Sequence, residues 1–286
     1  MERVLQDIVL VMETSFGMKI AGYDTGFLRQ SLDKRCLASG VQSLTDYLDY
    51  LSKSEAEAKL LYASMNITYT EFFRNSLTFA HIEQVVLPDL LRKKSKTGEL
   101  RVWSAGCSSG QEAYSLAMCI ENHLARSPQP LRYRIIATDF TEDILAVARK
   151  GVYEKESLSN VKLKDLEQYF IRTGEKYAIV DQLKKNMSFS QYDLLDSQFS
   201  YPPESIFGHF DVVMCSNLLF YYLPEQQKAM VQKVVGALAP RGYFITGETE
   251  KQVVAQMTGL RALVPTSPIF KKMNGGSDKH EKPVSF

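Results

Sequence analysis

Cysteine, tryptophan and net charge are all scarce in this 286-residue chain, and each shortage excludes something. The four cysteines, Cys36, Cys107, Cys119 and Cys215, include no Cys-x-x-Cys pair. Neither a disulfide framework nor a metal site is expected, and the thiols read as reduced. Lys and Arg number 34 against 33 Asp and Glu, a formal net charge of +1. No global field therefore draws the chain to nucleic acid or to lipid, and any basic partner surface has to be local. Gly-x-Gly-x-x-Gly and Gly-Lys-Ser/Thr are both missing, which argues against a dinucleotide fingerprint and a phosphate loop. The apolar residues near the start are broken by Asp7 and Glu13, as suits neither a secretory signal nor a membrane span, so a cytoplasmic protein is expected.

What is present reads as an ordinary globular chain, long enough for one substantial core and a smaller second domain. Its organising stretch is Arg101 to Ser115: an apolar strand, a turn of small residues and the start of an amphipathic helix. Gly106 and Gly110 sit at that reversal, where backbone can approach a ligand without a Cβ in the way. In open α/β sheets such a crevice, at the carboxyl end of a strand and facing a helix N-terminus, is the usual ligand site. A plain structural turn would account for two glycines equally well, so neighbouring strands have to decide.

Before that stretch, residues 1–72 are patterned as helices. Val4, Leu5, Ile8, Val9, Met12 and Phe16 make one face and Leu44, Tyr47, Leu48 and Leu51 another, and Ser54 to Glu57 fits a capping box. Arg29, Lys34 and Arg35 are candidates for a basic face. Thr70, Phe72, Phe73 and Arg74 form either a pocket lid with an inward charge or a linker stapled to the core. A helix from Phe79 to Arg92, kinked at Pro88, follows.

After the stretch, Arg132 to Asp139 completes a βαβ unit, and Asp139 stands where a carboxylate can accept hydrogen bonds from both hydroxyls of a ribose. Alternation then stops. Two short runs, Lys176 to Val180 and Met187 to Ser190, are read as an inserted β-hairpin whose exposed edges could dock a peptide by strand addition. The sheet resumes with Phe210 to Cys215, ending in Ser216 and Asn217, and with Tyr243 to Gly247, followed by Glu248. Several strands thus end in ligand-competent groups: Gly106, Asp139, Asn217 and Glu248.

Taken in order, the motifs resemble the CheR family of S-adenosylmethionine-dependent glutamate O-methyltransferases that act on bacterial chemotaxis receptors. Thr70-x-Phe72-Phe73-Arg74 matches one family element, and Trp103 to Ser115 a second. Ala137-Thr138-Asp139, Gly151-Val152-Tyr153 and Cys215-x-Asn217 with Tyr221 match the rest. The resemblance implies an α/β fold with a doubly wound, mostly parallel, Rossmann-like sheet of the class I methyltransferase kind, preceded by a small all-helical domain. The expected layout is a helical domain over 1–72, a methyltransferase domain over 73–273 with an inserted β-subdomain at about 151–192, and a tail over 274–286. It implies S-adenosylmethionine as cofactor and S-adenosylhomocysteine as product, contacted by Thr70, Arg74, Gly106, Glu112, Asp139 and Asn217. Arg74 and Tyr221 would stand nearest the reacting groups.

Thr68, Asp193 (followed by Leu194) and Ser216 fall at expected cofactor positions but depart from the family's usual residues there. These departures bear on substrate identity more than on fold. The implied partner is a receptor cytoplasmic domain, its C-terminal tail held by the inserted hairpin. A monomer is expected, touching membranes only through receptors. Neither Asn/Asp-Pro-Pro-Tyr nor Pro-Cys occurs, so a nucleic-acid methyltransferase is disfavoured. The alternatives are a relative that methylates another protein or a small acid, and a cofactor-binding scaffold without catalysis.

Overall fold

A computed structural model describes residues 2–66, 69–94, 98–126, 131–205 and 207–273. Thr68 and the tail expected at 274–286 lie outside the described residues. The chain divides into two units, Met1–Ile67 with Leu218–Gln227, and Thr68–Asn217 with Lys228–Phe286. The sequence reading places one boundary, near residue 72. The segment at 218–227 was not legible as part of the first unit because it is remote in sequence and joins through aromatic packing: Tyr222 stacks on Tyr23 and Tyr221 meets Phe27 edge-on.

The first unit is built on four helices, α1 (Glu2–Phe16), α2 (Thr25–Ser39), α3 (Leu44–Leu51) and α4 (Glu55–Ser64). Ile8, Met12, Leu32, Tyr47, Leu51 and Leu61 are fully buried at its centre. Side chains of Asp24, Ser43 and Ser54 accept the first free N–H groups of α2, α3 and α4. The capping box at Ser54 is only half made. Glu57 turns inward, where Arg35 donates to it through Nε at 2.9 Å and Nη2 at 2.7 Å and Tyr47 donates its hydroxyl at 2.7 Å. Arg35 is therefore committed to Glu57 rather than to the basic face expected of it, while Arg29 and Lys34 stay exposed.

The second unit runs α5 (Ser76–His81), a π-helical turn (Ile82–Val86), α6 (Leu87–Lys93), β1 (Glu99–Ala105), α7 (Gln111–Leu124), β2 (Arg132–Asp139) and α8 (Glu142–Lys150). It continues through β3 (Val152–Glu154), α9 (Leu163–Tyr169), β4 (Phe170–Thr173), β5 (Lys176–Ile179), α10 (Asp181–Lys184), β6 (Met187–Gln191) and β7 (Phe210–Cys215). α11 (Pro224–Ala237), of which the part from Lys228 onward belongs to this unit, β8 (Leu238–Thr246), α12 (Lys251–Ala255), β9 (Leu260–Ala262) and β10 (Ile269–Lys272) follow.

Seven strands form one sheet in the order β6-β2-β1-β7-β8-β10-β9. β6, β2, β1, β7 and β8 are parallel, and β10 runs antiparallel to both β8 and β9. The chain builds outward from β1 through β2 to β6, then returns to lay β7 on the other side of β1. The gap between β1 and β7 is therefore the topological switch point, where an open α/β sheet takes its ligand. β1 is buried on both faces over its last four residues, as a central parallel strand must be, and Trp103 donates from its indole to Thr138 Oγ1 of β2 at 2.9 Å. The doubly wound, mostly parallel α/β fold expected from the sequence is present.

The expected hairpin is not. Met187–Gln191 pairs parallel to β2 as an edge strand of the main sheet, with Ile135 donating to the Asn186 carbonyl at 2.8 Å. Lys176–Ile179 pairs instead with β3 and β4 in a separate three-stranded sheet ordered β3-β5-β4, and α10 lies between the two runs. Period-2 alternation marks a strand but not its partner. Here burial of Phe189 against Tyr114, with ring centroids 5.6 Å apart, goes with the choice of the main sheet.

Candidate active site

The site is assembled where β1, β2, β6 and β7 end. β1 turns into α7 through Gly106, at φ 76°, and Gly110, at φ 93°. A Cβ at Gly110 would meet the Ala148 Cβ at 3.0 Å and the Tyr153 hydroxyl at 3.2 Å, so both backbone and space require glycine there. The Gly106 and Cys107 N–H groups donate to the Thr138 carbonyl at 2.8 and 2.9 Å, tying the turn to the end of β2. This folds Ser108 into the left-handed region, at φ 50°, and aims its N–H at Asp139 Oδ2, 2.8 Å away. Asp139 Oδ1 takes the Thr141 N–H at 3.2 Å. Burial pushes the Asp139 carboxyl up, and the backbone donors work against that shift. The Thr141 side chain makes no cap bond at the start of α8, and Asp139 itself serves the turn that leads into that helix.

Glu112, in the first turn of α7, spans the switch point. Ser104 at the end of β1 donates to its Oε1 at 2.6 Å, and Ser216 just past β7 donates to its Oε2 at 2.9 Å. Burial pushes this carboxyl up to about 7. The two serine hydrogen bonds lower it, the Glu250 charge raises it, and the Arg74 charge lowers it again. Among the described residues its hydrogen bonds come from the two serine hydroxyls, which leaves the carboxylate able to receive a cationic group.

Asn217, the expected cofactor ligand after β7, has φ 59°. It is fixed by Glu250, whose Oε2 accepts the Asn217 N–H at 2.8 Å, the Gly247 N–H at 2.9 Å and the Thr246 hydroxyl at 3.0 Å. Glu248, the expected carboxylate here, instead pairs with Lys251 at 3.3 Å. The sequence could not separate two glutamates lying two residues apart; only the turn after β8 decides which one points inward.

At the end of β6, Tyr192 donates its N–H to the Asp139 carbonyl at 2.9 Å, which brings Asp193 and the buried Leu194 to the same rim. Asp193 Oδ1 accepts the Leu195 N–H at 2.8 Å.

The Phe-Phe-Arg element reaches the unit by strain. Phe73 has φ 50° and Asn75 φ 67°, outlying values for residues other than glycine, of order 1 to 3 kcal/mol each. Phe73 N–H donates to the Ser115 hydroxyl at 2.9 Å, Phe72 packs edge-on against Tyr153 and Phe170, and Phe73 against Phe79. The packing realises the linker reading of this element. The phenylalanines staple the segment to the core, while Arg74, half-exposed, donates to the Tyr69 carbonyl at 3.3 Å and lies over the Tyr69 ring at 5.3 Å. Its charge is felt at Glu112. Thr70 lies half-buried in the same loop.

Tyr221 belongs to the helical unit, where its carbonyl accepts the Asp24 N–H at 2.8 Å. The Cys107 thiol is buried and pushed up by that burial, as befits a packing residue rather than a nucleophile. Among the described residues no cluster of His, Cys, Asp and Glu could hold a metal, and no helix is long and apolar enough to cross a membrane.

Ser104, Ser108, Tyr192 and Glu250 were not anticipated. Ser104 and Ser108 lie inside the anchor stretch but carry no distinguishing spacing, and Glu250 acts through a fold-specific turn.

The arrangement fits a nucleoside bearing an ammonium: a carboxylate at Glu112 held by two serine hydroxyls, a second at Asp139 beside the glycine turn, and a glycine at position 106 in that turn. Residues 68–266 match the family model described as "CheR methyltransferase, SAM binding domain". The chain is similar to the chemotaxis protein methyltransferase of Escherichia coli, 30% identical and covering 82% of this chain and 79% of the relative. It is also similar to that of Borreliella burgdorferi, at 27% identity over 86% and 87%, and to that of Listeria monocytogenes, at 28% over 88% and 92%. A matched span that takes in the glycine turn, both carboxylates and the end of β7 leaves one conclusion: this chain belongs to the CheR family of S-adenosylmethionine-dependent methyltransferases.

Proposed function

We propose that the chain transfers a methyl group from S-adenosylmethionine to glutamate side chains of chemotaxis receptors, forming methyl esters. The observation that carries the cofactor placement is Glu112 bridged by Ser104 and Ser216 across the switch point, with Asp139 at the adjacent strand end. Glu112 would hold the ammonium, Asp139 the ribose hydroxyls, Asn217 and Gly106 the cofactor through backbone and amide contacts, and Asp193 with Leu194 the adenine end of the rim. When bound, the cofactor supplies an electrophilic methyl on a positively charged sulfur.

A glutamate acceptor is ionised well below neutral pH, so these residues need hold no general base. Transfer of that methyl to a carboxylate oxygen would leave the S–C bonding pair on sulfur and move no proton, so this chain's residues need only bind, orient and exclude water. The protein's share is collinear placement at about 3 to 3.5 Å and exclusion of water. Arg74 is the group available to orient an acidic acceptor, and its planar fork suits a carboxylate. A receptor tail is proposed to dock on an edge of the β3-β5-β4 sheet, whose outer strands β3 and β4 lie at its two edges.

Membranes containing receptors, incubated with the chain and methyl-labelled cofactor, should incorporate label that mild base releases as methanol. Label that survives base would indicate an amine acceptor and sink the ester reading. Transfer to a soluble acid, with none to membranes, would favour a small-molecule enzyme.

A further inference from the structure

Arg74 stands beside the cofactor crevice on a backbone that is firmly held. Phe73 and Asn75, on either side of it, are kept at positive φ. The Phe73 N–H donates to the Ser115 hydroxyl, which donates in turn to the Gln111 carbonyl at 2.7 Å, in the turn of α7 that carries Glu112. The Arg74 charge reaches Glu112 from there. A fixed backbone does not fix an arginine head, because the long stem lets the guanidinium sweep over several ångströms unless something restrains it. Among the described residues both restraints come from Tyr69: its ring lies under the guanidinium, with Cζ 5.3 Å from the ring centroid, and its carbonyl accepts from Nη1 at 3.3 Å. The attraction of a cation for the face of an aromatic ring is the physical cause of the first contact. It uses the face of the guanidinium and leaves the in-plane N–H donors of the far edge to meet a carboxylate through two parallel bonds.

Tyr69 is itself held in place. At 64% exposed its side chain gains little from burial, so packing into the core does not account for where the ring sits. Its hydroxyl donates to Glu71 Oε1, and Glu71 Oε2 accepts from Asn160 Nδ2 at 3.2 Å. Asn160 precedes α9 and is 89 positions from Glu71. The contacts therefore tie the ring to the body of the unit rather than only to its own loop. The Glu71 carboxylate also raises the pKa of the Tyr69 hydroxyl, which keeps that donor protonated.

We propose that Tyr69 is a positioning residue for the methyl transfer: its ring holds the Arg74 guanidinium with one edge turned to the incoming acceptor carboxylate, and Glu71 with Asn160 holds the ring. This rests on the proposed role of Arg74 in orienting the acceptor, and adds the residue that sets the orientation. Tyr69 touches neither the acceptor nor the cofactor in this arrangement. Its whole effect passes through Arg74, so the ring has nothing left to do once the guanidinium is removed.

The test is a double-mutant cycle on the full chain, read as single-turnover transfer of labelled methyl to receptor-containing membranes at saturating cofactor and receptor. Arg74→Ala reports on the role of the arginine itself and should slow transfer by at least about tenfold. Tyr69→Leu removes the ring but keeps the backbone carbonyl, and should slow transfer by about fivefold or more with an unchanged thermal midpoint, because the ring is exposed. Tyr69→Phe keeps the ring face and should recover most of that loss. Tyr69→Leu added to Arg74→Ala should slow transfer no further. A second readout needs no acceptor: the Arg74 Nε–H proton resonance, identified by its absence in Arg74→Ala, should be shifted upfield by the ring in the wild type and in Tyr69→Phe but not in Tyr69→Leu. A Tyr69→Leu rate equal to wild type beside a slow Arg74→Ala would overturn the proposal and spare the role of Arg74. Losses that add in the double variant, Tyr69→Phe as slow as Tyr69→Leu, or an Nε–H resonance that the ring does not shift would overturn it in the same way. A wild-type rate in Arg74→Ala, or no transfer by the wild type, would overturn both.

Discussion

Glu112 offers a sharp test of how this pocket handles charge. In the free protein its carboxyl is pushed up to about 7, chiefly by burial, and only two serine hydroxyls and the Arg74 charge resist. If it receives the cofactor's ammonium, binding requires the ionised form, and any proton present has to leave first. The sign follows: affinity is full above the free-protein pKa and falls as pH drops through it. With a pKa near 7 the dissociation constant should rise about tenfold from pH 7.5 to pH 6, and about tenfold again by pH 5. Titration calorimetry with S-adenosylhomocysteine over this range reads the effect below the pH at which an α-amino group loses its proton. Glu112→Gln should bind about tenfold to a hundredfold more weakly at pH 7.5, the loss of one charged hydrogen bond, and its profile should be flat. Ser216→Ala removes a hydrogen bond that lowers the pKa, so its break should move to higher pH. A wild-type dissociation constant constant between pH 7.5 and 6, or a glutamine variant that keeps the wild-type slope, would refute the assignment of Glu112 as the ammonium acceptor.

Asp139→Ala should weaken cofactor binding by about 1.5 to 3 kcal/mol in the same assay, and unchanged affinity would remove Asp139 from the site. At saturating cofactor, single-turnover transfer should be flat from about pH 6 to 8 because the acceptor carboxylate is already ionised. Arg74→Lys should be much slower with the same flat profile, whereas a rate rising tenfold per pH unit would require a titrating base. Asp89 is held at about 2, against the burial that raises it, by Lys93, Tyr243 and Lys271. A depressed carboxyl stabilises above its unfolded pKa and loses that stability as pH falls through the folded value. Asp89→Asn should therefore cost about 1 to 2 kcal/mol at pH 7 in urea unfolding and only a small part of that at pH 2, where Asp89 is about half protonated in the folded state; an equal cost at both would mean the contacts are not electrostatic. Gly110→Ala should destabilise the fold by about 1 to 3 kcal/mol through its positive φ and its contact with Ala148, and a thermal midpoint equal to wild type would show that the turn relaxes.

The local elements and the positions where chemistry concentrates could be read directly from the order of residues. Gly106 and Gly110 had to mark a strand-to-helix turn, since few other residues accept such backbone, and Asp139 had to end a strand that begins at Arg132. These follow from short-range sterics and periodicity, which act between residues close in sequence. What faces what was decided only by tertiary structure. Met187–Gln191 alternates in a way that suits either a hairpin or an edge strand, and packing of Phe189 on Tyr114 accompanies the second choice. Glu248 and Glu250 are interchangeable as letters, yet the turn after β8 buries one against Asn217 and leaves the other with Lys251. The bridge from Ser104 through Glu112 to Ser216 joins residues more than a hundred positions apart. It exists because the order β2-β1-β7 sets the ends of β1 and β7 side by side, and strand order is fixed by burial of the whole sheet rather than by any one stretch of chain.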